Sequence, residues 1–300
     1  MPPVTLGALA ARLPRTPLTR FAPSPTGYLH LGHVVNAIWV WGLARALEGR
    51  VLLRLEDHDR GRCRSDYEAA LLEDLDWLGL APDLGPTRQR DATAVYLDTL
   101  AALERRGLVY ACDCSRRDIS REGGDVPHLE TRYPGRCRDR GLPSGEGRGQ
   151  RLRLADTVER FTDELLGPQE QVPALQCGDP LLRDRHGNWT YQFAVVVDDL
   201  RQGVDLVVRG ADLVGSTGRQ IALGRLLGRD DPPVYLHHPL LRRPDGAKLS
   251  KAAGDTGIRE LRAAGVSAPA VLGRAAEAAG LTTDARPLPA DELARLFTGA

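Results

Sequence analysis

The stretch Arg20-Phe21-Ala22-Pro23-Ser24-Pro25-Thr26-Gly27-Tyr28-Leu29-His30-Leu31-Gly32-His33 constrains this chain more than any other. Residues 18–22 read as a short buried strand. Residues 23–27 can be neither helix nor regular strand, because two prolines and a glycine interrupt them. From Gly32 an apolar run continues to Gly49, a natural helix stop. Strand, tight loop and helix N-terminus in that order form an anion site, since backbone N–H groups and the positive end of the helix dipole point at the ligand. His30 and His33 bring two imidazoles within reach of phosphate oxygens. Gly32, between them, lets a flat ring or a sugar approach the backbone.

A second anchor lies at Arg243-Pro244-Asp245-Gly246-Ala247-Lys248-Leu249-Ser250-Lys251. Of the 40 cationic Lys and Arg residues, only Lys248 and Lys251 are lysine. In so arginine-biased a chain, two lysines in one tetrapeptide point to compact ammonium charges on flexible stems, the form in which Lys serves phosphates.

His30-Leu31-Gly32-His33 and Lys248-Leu249-Ser250-Lys251 resemble the two ATP-binding signatures of class I aminoacyl-tRNA synthetases. The longer stretch from Arg20 to His33 resembles the glutamyl branch, and within it the short paralogues that lack an anticodon-binding domain. The resemblance runs from about Thr19 to about Lys251. Ala252 departs from the common signature, which ends in serine.

The expected fold is α/β: a doubly wound, parallel, Rossmann-like nucleotide-binding domain made of residues 18–107 and 189–251. An inserted zinc-containing subdomain occupies 108–188, and a short helical tail occupies 252–300. Strand and helix alternate over the first hundred residues: 51–55 reads as strand, 67–78 and 92–106 as helices. Further on, 151–154 and 181–192 read as strands. Residues 191–197 form a buried apolar run ending at Asp198-Asp199, and 206–212 repeat the form of strand then charged end. A helix over 217–227 and a strand over 235–240 complete the unit. The remaining 49 residues are too few for a separate anticodon-reading domain, given domains of roughly 50–250 residues.

A content of 42% hydrophobic and 27% charged residues fits a globular chain. No apolar run approaches the ~18 residues of a membrane span. Residues 1–17 read as a loose N-terminal extension rather than a secretion signal. Five unevenly spaced cysteines argue for metal binding over a disulfide framework, and so for a cytoplasmic setting. Zero formal net charge argues against a nonspecific RNA binder. It leaves room for a basic face over 132–153, where Arg132, Arg136, Arg138, Arg140, Arg148, Arg151 and Arg153 face only Asp139 and Glu146; the bland reading is a solvated loop.

Cys112 and Cys114 can point the same way from a strand, and Cys137 follows a loop rich in Gly, Pro and Arg. Three thiolates and one more donor make a tetrahedral Zn²⁺ site. By chemistry alone the fourth donor is open, with His128 the generic choice. The resemblance favours Tyr133, four residues before Cys137. Cys63 and Cys177 read as packing residues.

The resemblance implies ATP with Mg²⁺, L-glutamate, and, for the short paralogues, queuosine in the anticodon of tRNA(Asp) as acceptor. His30 and His33 go to the triphosphate, with Gly32 against the nucleotide. Lys251, helped by Lys248, goes to the transition state. The glutamate site matches Arg20, Ser24, Glu56, Tyr191 and Arg209, with Arg20 on the side-chain carboxylate. The competing role for each arginine is a structural ion pair; for Glu56 it is pairing with Arg54 or Arg60. A monomer without membrane contact is expected. The alternatives are a truncated synthetase that charges a tRNA 3′ end, a nucleotidyltransferase of the same superfamily, and a silent RNA-binding paralogue.

Overall fold

The computed structural model describes residues 5–59, 61–123, 131–241 and 257–298. Along the chain lie α1 (Leu6–Ala10), β1 (Leu18–Phe21), α2 (Leu31–Ala46), β2 (Arg50–Leu55), α3 (Ser65–Trp77), β3 (Leu84–Arg88), α4 (Thr93–Arg105), β4 (Val109–Cys112), α5 (Arg116–Gly123), β5 (Gly149–Leu152), β6 (Glu159–Asp163), β7 (Gly167–Gln171), α6 (Pro173–Gln176), β8 (Leu181–Arg183), α7 (Tyr191–Arg201), β9 (Leu206–Gly210), α8 (Thr217–Leu226), β10 (Val234–His238), α9 (Ile258–Ala263), α10 (Ala268–Ala278) and α11 (Arg295–Thr298).

A seven-stranded sheet in the order β3-β2-β1-β9-β10-β6-β7 organises the molecule. Its strands run parallel except β7, which returns antiparallel on β6. The expected doubly wound α/β fold is present. The strand order reverses between β1 and β9, which pair at Thr19↔Leu206. In open parallel sheets such a switch point opens a crevice beyond the strand carboxyl ends, where ligands bind. A separate antiparallel sheet, β4-β5-β8, carries the start of the cysteine cluster.

Helix α2 is buried on nearly every side, from Val34 to Ala44. An apolar helix of this kind needs cover all round. The sheet residues Phe21, Leu53 and Val208 share its core, as do Val271, Leu272, Ala275 and Phe297 of the tail. Gly42 makes the close approach possible, since a Cβ there would lie 2.2 Å from the Phe297 ring.

Four expectations change. Residues 191–197 are the first turns of helix α7, and Asp198 and Asp199 lie buried within that helix rather than at a strand end. Only Leu181–Arg183 of the stretch 181–192 is strand. The span expected as insertion contributes β6 and β7 to the edge of the large sheet, so 108–188 is not wholly a separate layer. Leu9, within the supposedly loose extension, is fully buried in the main core.

Candidate active site

The loop after β1 leads into α2 through an unusual cap. His30 Nδ1 accepts from the Gly32 N–H at 3.1 Å, and His33 Nδ1 accepts from the His30 N–H at 3.1 Å. This is a reciprocal capping box built from two imidazoles. Because both Nδ1 atoms accept, each neutral ring carries its proton on Nε2. Two Nε2–H donors are therefore fixed at the positive end of a long helix. The ring centroids are 3.9 Å apart. Space for a side chain at Gly32 is tight, because a Cβ would come within 3.0 Å of the His30 ring. The adjoining cleft measures about 240 Å³ and is lined by His30, Gly32, His33, Asn36, Asp212 and His238, among others.

Lys248 and Lys251 lie outside the described residues, as do Arg60 and His128. The described backbone on either side of the lysine segment flanks the histidine cap. Leu241 lines the same cleft. On the far side, Gly257 bridges His30, and the Ile258 N–H donates to the Leu29 carbonyl at 3.1 Å.

At the switch point the strands deliver buried charge. Arg20 of β1 and Arg209 of β9 are each 4% exposed. Arg20 Nε donates to Asp199 Oδ1 at 3.2 Å, and its Nη1 donates to the Val208 carbonyl at 3.3 Å. Arg54, fully buried, donates to Asp199 Oδ1 at 2.7 Å and reaches Glu56 Oε1 at 3.4 Å. Glu56 thus has one of its two expected structural partners. Burial pushes the Glu56 carboxyl above its ordinary range, against the pull of Arg54 and Arg20. Burial also opposes ionisation of Asp199, but Arg54 and Arg20 outweigh it and hold that carboxyl low.

Tyr191 Oη accepts from Arg209 Nη1 across 3.5 Å, and burial raises the phenol above its usual range. Its electrostatic neighbours include Arg209, Glu56 and Arg20. The structure thus gathers Arg20, Glu56, Tyr191 and Arg209 around the switch point. Ser24 is an exposed residue of the loop that follows β1, where its carbonyl accepts from the Thr26 N–H at 2.8 Å. A larger polar cleft of about 440 Å³ opens beside Pro25, Asp57, Cys63 and Arg90. Cys63 is half-buried there, its thiol pushed up to about 11 chiefly by burial.

Sequence reasoning missed several buried polar residues around the arginines: Asp199, Gln220, Thr217 and His237. The acids at 198–199 were visible only as the end of an apolar run. Their place on α7 could have been found from helical spacing, which puts Asp199 one turn past Val195.

The thiols of Cys112, Cys114 and Cys137 lie within 4.8 Å of one another, the one such cluster among the described residues. Tyr133 Oη is 3.5 Å from Cys112 Sγ and accepts from the Cys137 N–H at 2.8 Å. Tetrahedral Zn–S bonds of about 2.3 Å place sulfurs roughly 3.8 Å apart, so the cluster is compatible with zinc. Arg151 Nε and Arg140 Nη1 lie 3.3 and 3.4 Å from Cys112 and Cys137 sulfurs, which would offset thiolate charge.

The arginines of 132–153 mostly bind the subdomain itself. Arg138 pairs with Asp179 at 2.6 Å, Arg140 with Asp113 at 2.9 Å and Arg153 with Asp139 at 2.9 Å. Arg148 and Arg132 donate to the carbonyls of Pro143 and Ala174. These bonds give the arginine run a structural use that needs no RNA.

The family model described as class I tRNA synthetases (E and Q), catalytic domain, matches residues 18–283. A protein of Nitratidesulfovibrio vulgaris named glutamyl-Q tRNA(Asp) synthetase is 43% identical, with 89% of this chain and 88% of that one covered. One of the same name from Rhodobacter capsulatus is 42% identical, covering 83% and 96%. The crystal structure of a glutamate tRNA ligase from Elizabethkingia meningosepticum, in complex with its amino acid, aligns with a TM-score of 0.76 at 25% identity. That alignment covers 94% of this chain and 64% of the longer one. With a histidine-capped helix at the switch point, buried arginines on both flanking strands and a family model matched over most of its length, the chain belongs to the class I tRNA synthetases of the E and Q branch.

Proposed function

We propose that this chain activates L-glutamate with ATP, without tRNA, and transfers the glutamyl group to queuosine in the anticodon of tRNA(Asp). The observation that carries the first half is the gathering at the switch point of two buried arginines, Arg20 and Arg209, and a buried acid, Glu56, with the histidine-capped helix following the same strand β1. A dicarboxylic amino acid needs a cation for each carboxylate and an anion for its ammonium. The names of the relatives support the second half.

In the activation step an oxygen of the α-carboxylate attacks the α-phosphorus of ATP, and pyrophosphate leaves. The enzyme aligns two anions and neutralises charge that builds on the phosphates. His30 and His33 donate from Nε2 to phosphate oxygens, and Lys251, with Lys248, meets the transition state. Mg²⁺ accompanies ATP. Arg20 takes the side-chain carboxylate, Glu56 the ammonium, and Arg209, Tyr191 and Ser24 complete the amino-acid site. Cys112, Cys114, Cys137 and Tyr133 would hold Zn²⁺, which ties the CxC segment to the loop before Cys137 and supplies no step. The protein works as a cytoplasmic monomer. Among the described residues, no helix is long and apolar enough to cross a membrane.

The test is ATP–pyrophosphate exchange without RNA, run with glutamate, glutamine and aspartate, followed by transfer of labelled glutamate to tRNA(Asp) with and without queuosine and to tRNA(Glu). Exchange with glutamate alone and labelling only of the queuosine-containing tRNA are expected. Label on the 3′ end of tRNA(Glu) would replace the acceptor assignment, and silence with all three amino acids would remove the glutamate assignment.

A further inference from the structure

Arg209 is held from behind by a chain of buried groups that the activation step does not use. A guanidinium can only donate. Its Nε donates to His237 Nε2 at 3.0 Å, so that nitrogen carries a lone pair. The His237 proton is then on Nδ1, which donates to Asp163 Oδ2 at 2.6 Å. Asp163 is fixed in turn: it accepts from the His237 N–H at 3.1 Å and from the Leu165 and Leu166 N–H groups at 3.1 and 2.9 Å. His237 and Asp163 are 0% and 1% exposed. Burial holds the imidazole below its ordinary range, with the Arg209 cation adding to the effect against Asp163. A neutral imidazole of one tautomer is thus wedged between a carboxylate and a guanidinium.

The terminal nitrogens of Arg209 are bound unequally. Nη1 donates to Gln220 Oε1 at 2.7 Å, and Nη2 donates to Thr217 Oγ1 at 3.0 Å. Their other contacts, to Tyr191 Oη and the Leu213 carbonyl, are both 3.5 Å, beyond a well-made hydrogen bond. With Nε committed to His237, the end of the guanidinium bearing these two loose contacts is the edge that can turn to a carboxylate. Asp163 belongs to β6, and β6 joins the large sheet by pairing with β10 at Tyr235↔Asp163.

We propose that Asp163 and His237 are positioning residues for the amino-acid substrate: together they lock the Nε side of Arg209 so that its Nη1/Nη2 edge receives a substrate carboxylate. The proposal rests on the reading of Arg209 as an amino-acid ligand. Asp163→Asn is nearly isosteric, but its amide N–H can donate to Nδ1, which moves the imidazole proton to Nε2 and sets it against the Arg209 N–H. His237→Phe removes the acceptor. His237→Gln keeps both bonds, since its amide oxygen can accept from Arg209 while its N–H donates to Asp163.

The experiment measures KM for glutamate, KM for ATP and kcat in ATP–pyrophosphate exchange, with calorimetric glutamate binding and a thermal melt for each full-length variant. Asp163→Asn and His237→Phe are expected to raise KM for glutamate by about tenfold to a hundredfold, with KM for ATP and kcat within about threefold, and His237→Gln to stay within about threefold throughout. An Asp163→Asn protein that melts with the wild type and keeps its KM for glutamate would overturn the proposal. So would His237→Gln as damaging as His237→Phe, or a loss spread equally over kcat and both KM values. Arg209→Lys separates the two ideas. If it leaves KM for glutamate unchanged, Arg209 is not the ligand and the underlying reading fails. If it raises KM while Asp163→Asn does not, only the positioning role fails.

Discussion

His238 shows how one residue's surroundings set a measurable property. Its ring stacks on Trp39, and its two nitrogens face the Asn36 side chain and the Pro239 carbonyl. Burial pushes the imidazole down to about 4. An unfolded histidine titrates near pH 6.5, so between those values the unfolded chain binds more protons. Its contribution to stability is therefore whole above about pH 6.5 and is lost as pH falls toward 4, an effect of up to about 3 kcal/mol. Denaturant unfolding at pH 7 and 4.5 should show this loss in the wild type and a smaller one in His238→Gln, which cannot titrate. An equal pH response in the two proteins would show that His238 is not the group responsible. Asp163 and Asp199, held below their ordinary range, contribute to acid sensitivity only at lower pH. At this scale the sequence was legible where a motif fixes its own local geometry, as at His30 and His33, which cap helix α2. It was silent on His237, because nothing near Tyr235-Leu236-His237-His238 says that the first imidazole meets Arg209 from the next strand.

Among elements, legibility followed hydrophobic pattern. The helix after Gly32 and the strands at 51–55 and 206–210 are apolar enough to be read directly. The run at 191–197 misled, since Val195-Val196-Val197 favour strand by residue type, yet helix α7 is buried widely enough to accept them. The β6–β7 hairpin left no apolar alternation to find: Glu159–Asp163 and Gly167–Gln171 are mostly polar, and their burial comes from ion pairs and hydrogen bonds, such as Gln171 Oε1 on the Gly218 N–H. The cysteine spacing was readable, and the structure brings the three thiols together. One zinc per chain is expected by metal analysis, and Cys137→Ser should lose most of it and lower Tm by several degrees, because structural zinc contributes directly to folding. Full zinc content in that variant would place the metal elsewhere.

For the whole molecule, the tail matters more than its size suggests. Residues 258–298 cover the face of α2 that the sheet leaves open, and α2 bears the histidine cap at its N-terminus. Gly42→Ala forces a Cβ against Phe297 and the Leu293 carbonyl. A cost of about 1–3 kcal/mol is expected from such overpacking. Thermal denaturation checks it, and Phe297→Leu in the same chain should recover part of the loss. An unchanged Tm in Gly42→Ala would mean that the tail does not press on the helix as described.

The position of the β6–β7 hairpin has a consequence for anyone recombining this fold. Chain order invites a cut on either side of the insertion, at 108 and 188, as though the piece between were a cassette. Such an exchange would carry off Asp163, Gln171 and the Glu159 partner of Arg225, and with them the edge of the large sheet. The workable seams lie inside that stretch, so that 159–171 travel with the nucleotide domain. Two segments of the cassette on either side of the hairpin would then be traded as a discontinuous pair, and heredity along the chain would no longer coincide with the parts that move together.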